Sequence, residues 1–131
     1  MTGDSATQTA TKTVLIADDN RQILELLEAY LDTLGVSVIT AADGKAALDA
    51  IQSRRPDLVL LDVMMPKLSG FEVCRAMKGD DALSAIPVIM VTALNEVGDV
   101  DRAKEFGADE FLSKPVNKHD LLDRVRKHLA L

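Results

Sequence analysis

Five residues of this chain belong to types that could do chemistry together: Asp18, Asp19, Asp62, Thr92 and Lys114. Each ends or follows a short apolar run. Asp18 and Asp19 come after "TVLIA", Asp62 after "DLVLL", Thr92 closes "PVIMVT", and Lys114 follows "DEFLS". Carboxylates brought close together repel and need compensation. A hard divalent cation with oxygen ligands is the obvious answer, and Mg²⁺ typically takes one or two carboxylates, waters and phosphate oxygens. Lys114 would add a positive charge and Thr92 a hydroxyl donor. Together they describe a site for a phosphoryl group on a carboxylate. Asp62 would be the nucleophile, the metal would neutralise developing charge, and Lys114 and Thr92 would hold the oxygens.

Each residue also has a plainer use. Asp18, Asp19 or Asn20 could cap the helix that follows, and Asp62 could simply mark a strand-to-loop transition. Thr92 could make a local hydrogen bond at a strand end, and Lys114–Pro115 could be a turn. What favours the chemical reading is their joint occurrence: suitable residues follow strands 1, 3, 4 and 5, and none follows strand 2.

The elements that must position these residues alternate along the chain. "TVLIA" (13–17), "VSVIT" (36–40), "DLVLL" (57–61), "PVIMVT" (87–92) and "DEFLS" (109–113) read as buried strands. Between them lie amphipathic segments. Residues 21–34 carry Ile23, Leu27, Tyr30, Leu31 and Leu34 at helical spacing, with Gly35 as a stop. A second helix starts near Asp43, a plausible N-cap. Ser69 and Glu72 have capping-box spacing ahead of a helix with Phe71, Val73 and Met77. A weaker fourth helix spans 95–106 and contains Gly98, and Asn117 caps a fifth with Leu121, Leu122, Val125 and Leu129 on one side. Five βα repeats predict an α/β, doubly wound parallel sheet with helices on both faces. In such sheets ligands sit beyond the carboxyl ends of the strands, where the strand order reverses. All five residues fall on that edge. In the common order 2-1-3-4-5 strands 1 and 3 are neighbours, so the three carboxylates converge.

Composition narrows the function classes. The 131 residues fit one domain, and the formal charge of −6 argues against a direct nucleic-acid or anionic-membrane surface. Lys118, Arg124, Arg126 and Lys127 are interrupted by Asp120 and Asp123, as on a solvated helix face. Cys74 is the lone cysteine, so no internal disulfide forms, and a reducing cytoplasm is the expected location. It sits in an apolar-periodic segment and reads as a small core residue. Residues 1–12 lack the features of a secretory signal and are expected to be a disordered tail, with the domain spanning 13–131. No apolar run approaches the length of a membrane span.

The segments "VLIADDN", "PDLVLLDVMMPKLSGFEVC", "PVIMVTA" and "GADEFLSKP", in this order and spacing, resemble the receiver domain of two-component response regulators over about residues 12–130. The resemblance implies a flavodoxin-like, chemotaxis-receiver-like (βα)5 fold, and the order 2-1-3-4-5 is the family's. It implies that Asp62 is the phosphoacceptor, with the phosphoryl group coming from a sensor histidine kinase or a histidine phosphotransfer protein. Asp19 would be a direct Mg²⁺ ligand, Asp18 would act mainly through water, and the backbone carbonyl of Met64 would join Asp62 as a ligand. Thr92 and Lys114 match the switch hydroxyl and the phosphate-pairing lysine. Phe111 matches the aromatic switch residue, without the hydroxyl a Tyr would bring. The Lys114–Pro115 bond would be cis. Met64 and Leu94 would flank the path of a hydrolysing water.

The resemblance also implies a signalling protein rather than an enzyme: Mg²⁺-dependent self-phosphorylation, slow self-dephosphorylation, and a partner-binding face made by the fourth helix, fifth strand and fifth helix. The given sequence ends after the fifth helix, so the expected output is through a downstream protein target, a self-dimer or a phosphorelay, with a fragment of a longer regulator as the alternative. Haloacid-dehalogenase-like phosphatases also place an Asp nucleophile after a buried strand, but use a second Asp two residues on, where this chain has Met64. A nucleotide-binding reading lacks both G-x-x-x-x-G-K and G-x-G-x-x-G after strand 1.

Overall fold

The structure, a computed structural model, describes residues 11–93, 101, 102 and 104–131. Its elements are β1 (Thr13–Ala17), α1 (Arg21–Asp32), β2 (Ser37–Ala41), α2 (Gly44–Arg54), β3 (Leu58–Leu61), α3 (Gly70–Lys78), β4 (Val88–Thr92), β5 (Glu110–Ser113) and α4 (Lys118–Leu129), the last being the helix expected fifth. Between β4 and β5, residues 101, 102, 104 and 105 are helical. The first part of the helix expected over 95–106, with Gly98, lies outside the described residues, as do positions 1–10 of the expected tail.

The five strands form one parallel sheet in the order β2-β1-β3-β4-β5, as the resemblance implied. Burial follows position in the sheet. Every residue of the central β3 is buried, whereas the edge strand β2 is half open along its length. This is why β3 reads as an unbroken apolar run. Truncating one of its leucines to Ala would cost about 2–5 kcal/mol, so the strand that delivers Asp62 is also among the least free to shift.

Two apolar layers enclose the sheet. One joins Leu15, Val59, Leu61 and Met90 to Ala47 and Ile51 of α2 and Phe71, Cys74 and Met77 of α3. The other joins Val14, Ile16, Leu60 and Ile89 to Leu24, Leu27 and Leu31 of α1 and Leu121, Val125 and Leu129 of α4. Alternate residues of β1 and β3 thus feed opposite layers, as the pleat requires. Cys74 is fully buried, and desolvation pushes its thiol up to about 11, so it packs as an inert hydrophobe.

Local capping sets the helix starts. Asn20 Oδ1 accepts the amides of Gln22 and Ile23, and Asp43 that of Ala46. Ser69 and Glu72 make the reciprocal capping box, and Asn117 accepts the Asp120 amide. At its other end α1 stops at Asp32, two residues short of the expected 34. Thr33 is its C-cap, and the Leu34 and Gly35 amides turn back to the carbonyls of Leu31 and Asp32.

Candidate functional site

The register of the sheet builds the site. Ala17, the last residue of β1, pairs with Ala41 of β2 and Leu61 of β3. The next residue on each strand continues the ladder: the Asp18 amide donates to the Ala41 carbonyl at 3.1 Å, and the Asp62 amide to the Ala17 carbonyl at 2.9 Å. Asp18 and Asp62 therefore leave adjacent strands at one level. On the other side β4 ends at Thr92, opposite Ser113 of β5, so Lys114 is the first residue beyond that pair.

Asn20, rather than either aspartate, caps α1. Asp18 instead turns one oxygen to the Asn20 amide, 2.9 Å, and the other inward. Asp18, Asp19 and Asp62 bring carboxylate oxygens within 4.8 Å of one another, the one such cluster among the described residues. Asp18 is 2% and Asp62 6% exposed, while Asp19 opens to solvent. Two buried carboxylates beside a solvent-facing third form a donor set of hard oxygens, which fits Mg²⁺ and leaves room for water.

Lys114 answers part of that charge. Its Nζ lies 2.6 Å from Asp18 Oδ2 and 3.2 Å from Asp62 Oδ2. Burial alone would lower the pKa of this ammonium. The hydrogen bond to Asp18 and the attraction of both carboxylates more than offset it, holding Lys114 above the ordinary lysine range. The Lys114–Pro115 peptide is cis.

The loop between β3 and α3 closes one side. The Met64 amide donates to Asp62 Oδ1 at 3.3 Å, and the Met64 side chain is 65% exposed. The Gly70 amide donates to the Val63 carbonyl at 2.9 Å. A Cβ at Gly70 would lie 2.2 Å from the Asp62 carbonyl oxygen, so the chain passes Asp62 where only glycine fits.

The structure thus brings together Asp18, Asp19, Asp62 and Lys114, with the Met64 backbone alongside. The backbone of Thr92 stands at the same edge. Phe111 is half-buried, opposite Met90 in the register, and packs against the layer of α2 and α3. Leu94 lies outside the described residues. Two features carried no clear sequence signal. One is the direct pairing of Lys114 with Asp18 rather than Asp62 alone. The other is an apolar groove of about 170 Å³ between Leu26 and Tyr30 of α1 and Lys114–Pro115. Leu26 stands out only as one leucine beyond the narrow helical stripe, and it is 43% exposed.

The family model of the response regulator receiver domain matches residues 14–126. The probable transcriptional regulator ycf27 of Cyanophora paradoxa is 44% identical over 118 residues, covering 90% of this chain and 48% of that protein. The alkaline phosphatase synthesis transcriptional regulatory protein PhoP of Bacillus subtilis (strain 168) is 39% identical over 115 residues, 88% of this chain and 47% of that one. The chain spans about half the length of the curated relatives it matches. Among solved structures, a putative response regulator from Chloroflexus aurantiacus J-10-fl gives a TM-score of 0.87 at 32% identity, covering 92% of this chain and 99% of that chain. The chemotaxis protein CheY4 of Vibrio cholerae gives 0.83 at 32% identity, with 89% and 98% covered.

Proposed function

Because the chain belongs to the response regulator receiver domains, we propose that it accepts a phosphoryl group on Asp62 from a histidine kinase or histidine phosphotransfer protein and thereby switches its protein contacts. The observation that carries this is the buried Asp62 carboxylate, 3.2 Å from Lys114 Nζ and clustered with those of Asp18 and Asp19 at the carboxyl edge of the sheet.

In the transfer, an Asp62 oxygen forms a bond to phosphorus as the bond from phosphorus to the donor's imidazole nitrogen breaks. Burial keeps Asp62 poorly hydrated, which favours its attack. Asp18, Asp19, Asp62 and the Met64 carbonyl would hold Mg²⁺. Bound there, the ion supplies positive charge to the phosphoryl oxygens. Lys114 moves from balancing carboxylates to balancing the new phosphoryl group, which its reach to Asp62 permits. The Thr92 hydroxyl takes another oxygen and biases Phe111 between two positions.

The domain would be a modified signalling component and not an enzyme, catalysing only its own phosphorylation and slow dephosphorylation. Its phosphodonor would lie over the groove beside Lys114, because that apolar groove shares Lys114 with the site. Its output would leave through β5, α4 and the segment before β5, to a downstream protein, a second copy or a relay partner. The excess of acidic residues over basic, 21 to 15, suits protein contacts better than direct nucleic-acid binding. Among the described residues no helix is long and apolar enough to cross a membrane, in keeping with a cytoplasmic signalling role.

Incubated with Mg²⁺ and acetyl phosphate, the protein should gain the mass of one phosphoryl group, and Asp62→Ala should gain none. Equal labelling of the variant would overturn the assignment.

A further inference from the structure

The loop from Asp62 to Ser69 rests on the start of α2, an element that contributes no side chain to the site. A Cβ at Gly44 would lie 2.0 Å from the Leu68 carbonyl oxygen, 2.6 Å from its carbonyl carbon and 2.7 Å from Leu68 Cβ. Two of these atoms are backbone, so any side chain at position 44 would displace the loop itself. The Gly44 amide also donates to the Pro66 carbonyl at 3.2 Å. Beside it Asp43, while capping α2, lies 3.7 Å from Lys67 Nζ. Lys67 has φ of 71°, a left-handed conformation that a lysine rarely adopts without outside support. Amide, ion pair and close backbone approach thus converge on residues 66–68. At the far end of the loop Gly70 meets Asp62 itself.

We propose that Gly44 is a positioning residue for the phosphoryl site. The first turn of α2 sets the height of the loop, and the loop sets where the Met64 carbonyl stands relative to Asp62, which the sheet holds beside Asp18 and Asp19. The inference rests on the proposed function for its chemistry, though its geometry stands apart from it. Phosphoryl transfer between fixed groups is sensitive to displacement, since a shift of about 1 Å can cost on the order of a hundredfold in rate.

The test compares Gly44→Ala with Gly79→Ala in the full chain. Position 79 is a suitable control, because a Cβ there meets its nearest atom at 3.4 Å, an ordinary contact, and lies at the far end of α3. Three quantities are followed: Mg²⁺ affinity by NMR titration, the initial rate of phosphorylation by acetyl phosphate, and the Met64 carbonyl resonance without metal. Gly44→Ala should shift that resonance, weaken Mg²⁺ binding and slow phosphorylation, the last two by about tenfold or more, while Gly79→Ala changes none of them. A folded Gly44→Ala with wild-type affinity and rate would overturn the proposal. If the wild type took up no phosphoryl group, the proposed function would fail, and the metal titration and carbonyl resonance would still decide the positioning role. Should Gly44→Ala not fold, the wild-type Gly44 amide carries the test. Its hydrogen exchange should slow when Mg²⁺ binds, because the loop it holds then gains a second anchor, and an unchanged rate would overturn the proposal.

Discussion

Lys114 Nζ lies nearer to Asp18, at 2.6 Å, than to Asp62, at 3.2 Å, although 96 residues separate Lys114 from Asp18 in the chain. The lysine therefore occupies the electrostatic place that a cation would share. Removing it in Lys114→Ala should tighten Mg²⁺ binding on the order of tenfold, about 1.4 kcal/mol, by deleting a nearby positive charge. The same variant should lose the response that phosphorylation evokes. By contrast Asp19→Ala, which deletes the solvent-facing carboxylate of the cluster, should weaken binding. An NMR titration of both variants decides the matter, and weaker binding by Lys114→Ala would show that the lysine organises the carboxylates more than it competes for them.

The second prediction concerns lifetime. Hydrolysis of an aspartyl phosphate needs a water in line with phosphorus, and Met64 stands beside Asp62 with its side chain open to solvent. On the proposed function, a thioether there would crowd that approach and could not orient water as an amide or acid can. Met64→Asn and Met64→Glu should each hasten decay of the phosphorylated protein, on the order of tenfold. Decay after donor removal is the measurement, and a wild type faster than both variants would refute the argument.

Leu26 offers a way to separate donor docking from chemistry. It is 43% exposed on the groove that shares Lys114 with the site. Leu26→Asp should slow phosphotransfer from a cognate histidine-bearing partner, about tenfold or more for a buried interface contact. Its rate with acetyl phosphate, which needs no docking surface, should stay the same. A parallel loss with both donors would mean that the substitution disturbs the site itself.

A pH dependence follows from Glu110. This β5 residue accepts hydrogen bonds from Arg124 and His128 of α4, tying strand to helix. Burial opposes its charged form, but the bonds from His128 and Arg124 prevail and hold its carboxyl below the ordinary 4.5. A depressed folded value means stability that is complete above about pH 4.5 and lost as pH falls through the lower folded value. Glu110→Gln should therefore lower unfolding free energy near neutral pH, by about 1–3 kcal/mol. The gap to wild type should close in strong acid. Denaturant titrations at both pH values test it, and a gap that stayed constant would remove Glu110 as the cause.

What the sequence determined by itself is what depends on near neighbours and on burial. Apolar runs mark β1, β3 and β4 because those strands are covered on both faces. Asp43, Ser69 with Glu72, and Asn117 announce their helices because a cap acts within three residues. The carboxyl-edge position of the acidic residues follows from the alternation of strand and helix. The tertiary structure decided the rest. Which of Asp18, Asp19 and Asn20 caps α1 was open in the sequence, since all three types can do it, and only the fold shows Asp18 drawn away towards Lys114. Gly44 looked like the unremarkable first residue of a helix. Its contact with Leu68 exists because two connections that are separate in the chain cross at the same edge of the sheet. Local pattern carries no record of such crossings, because their geometry is set by how far the strands twist and where each loop must land.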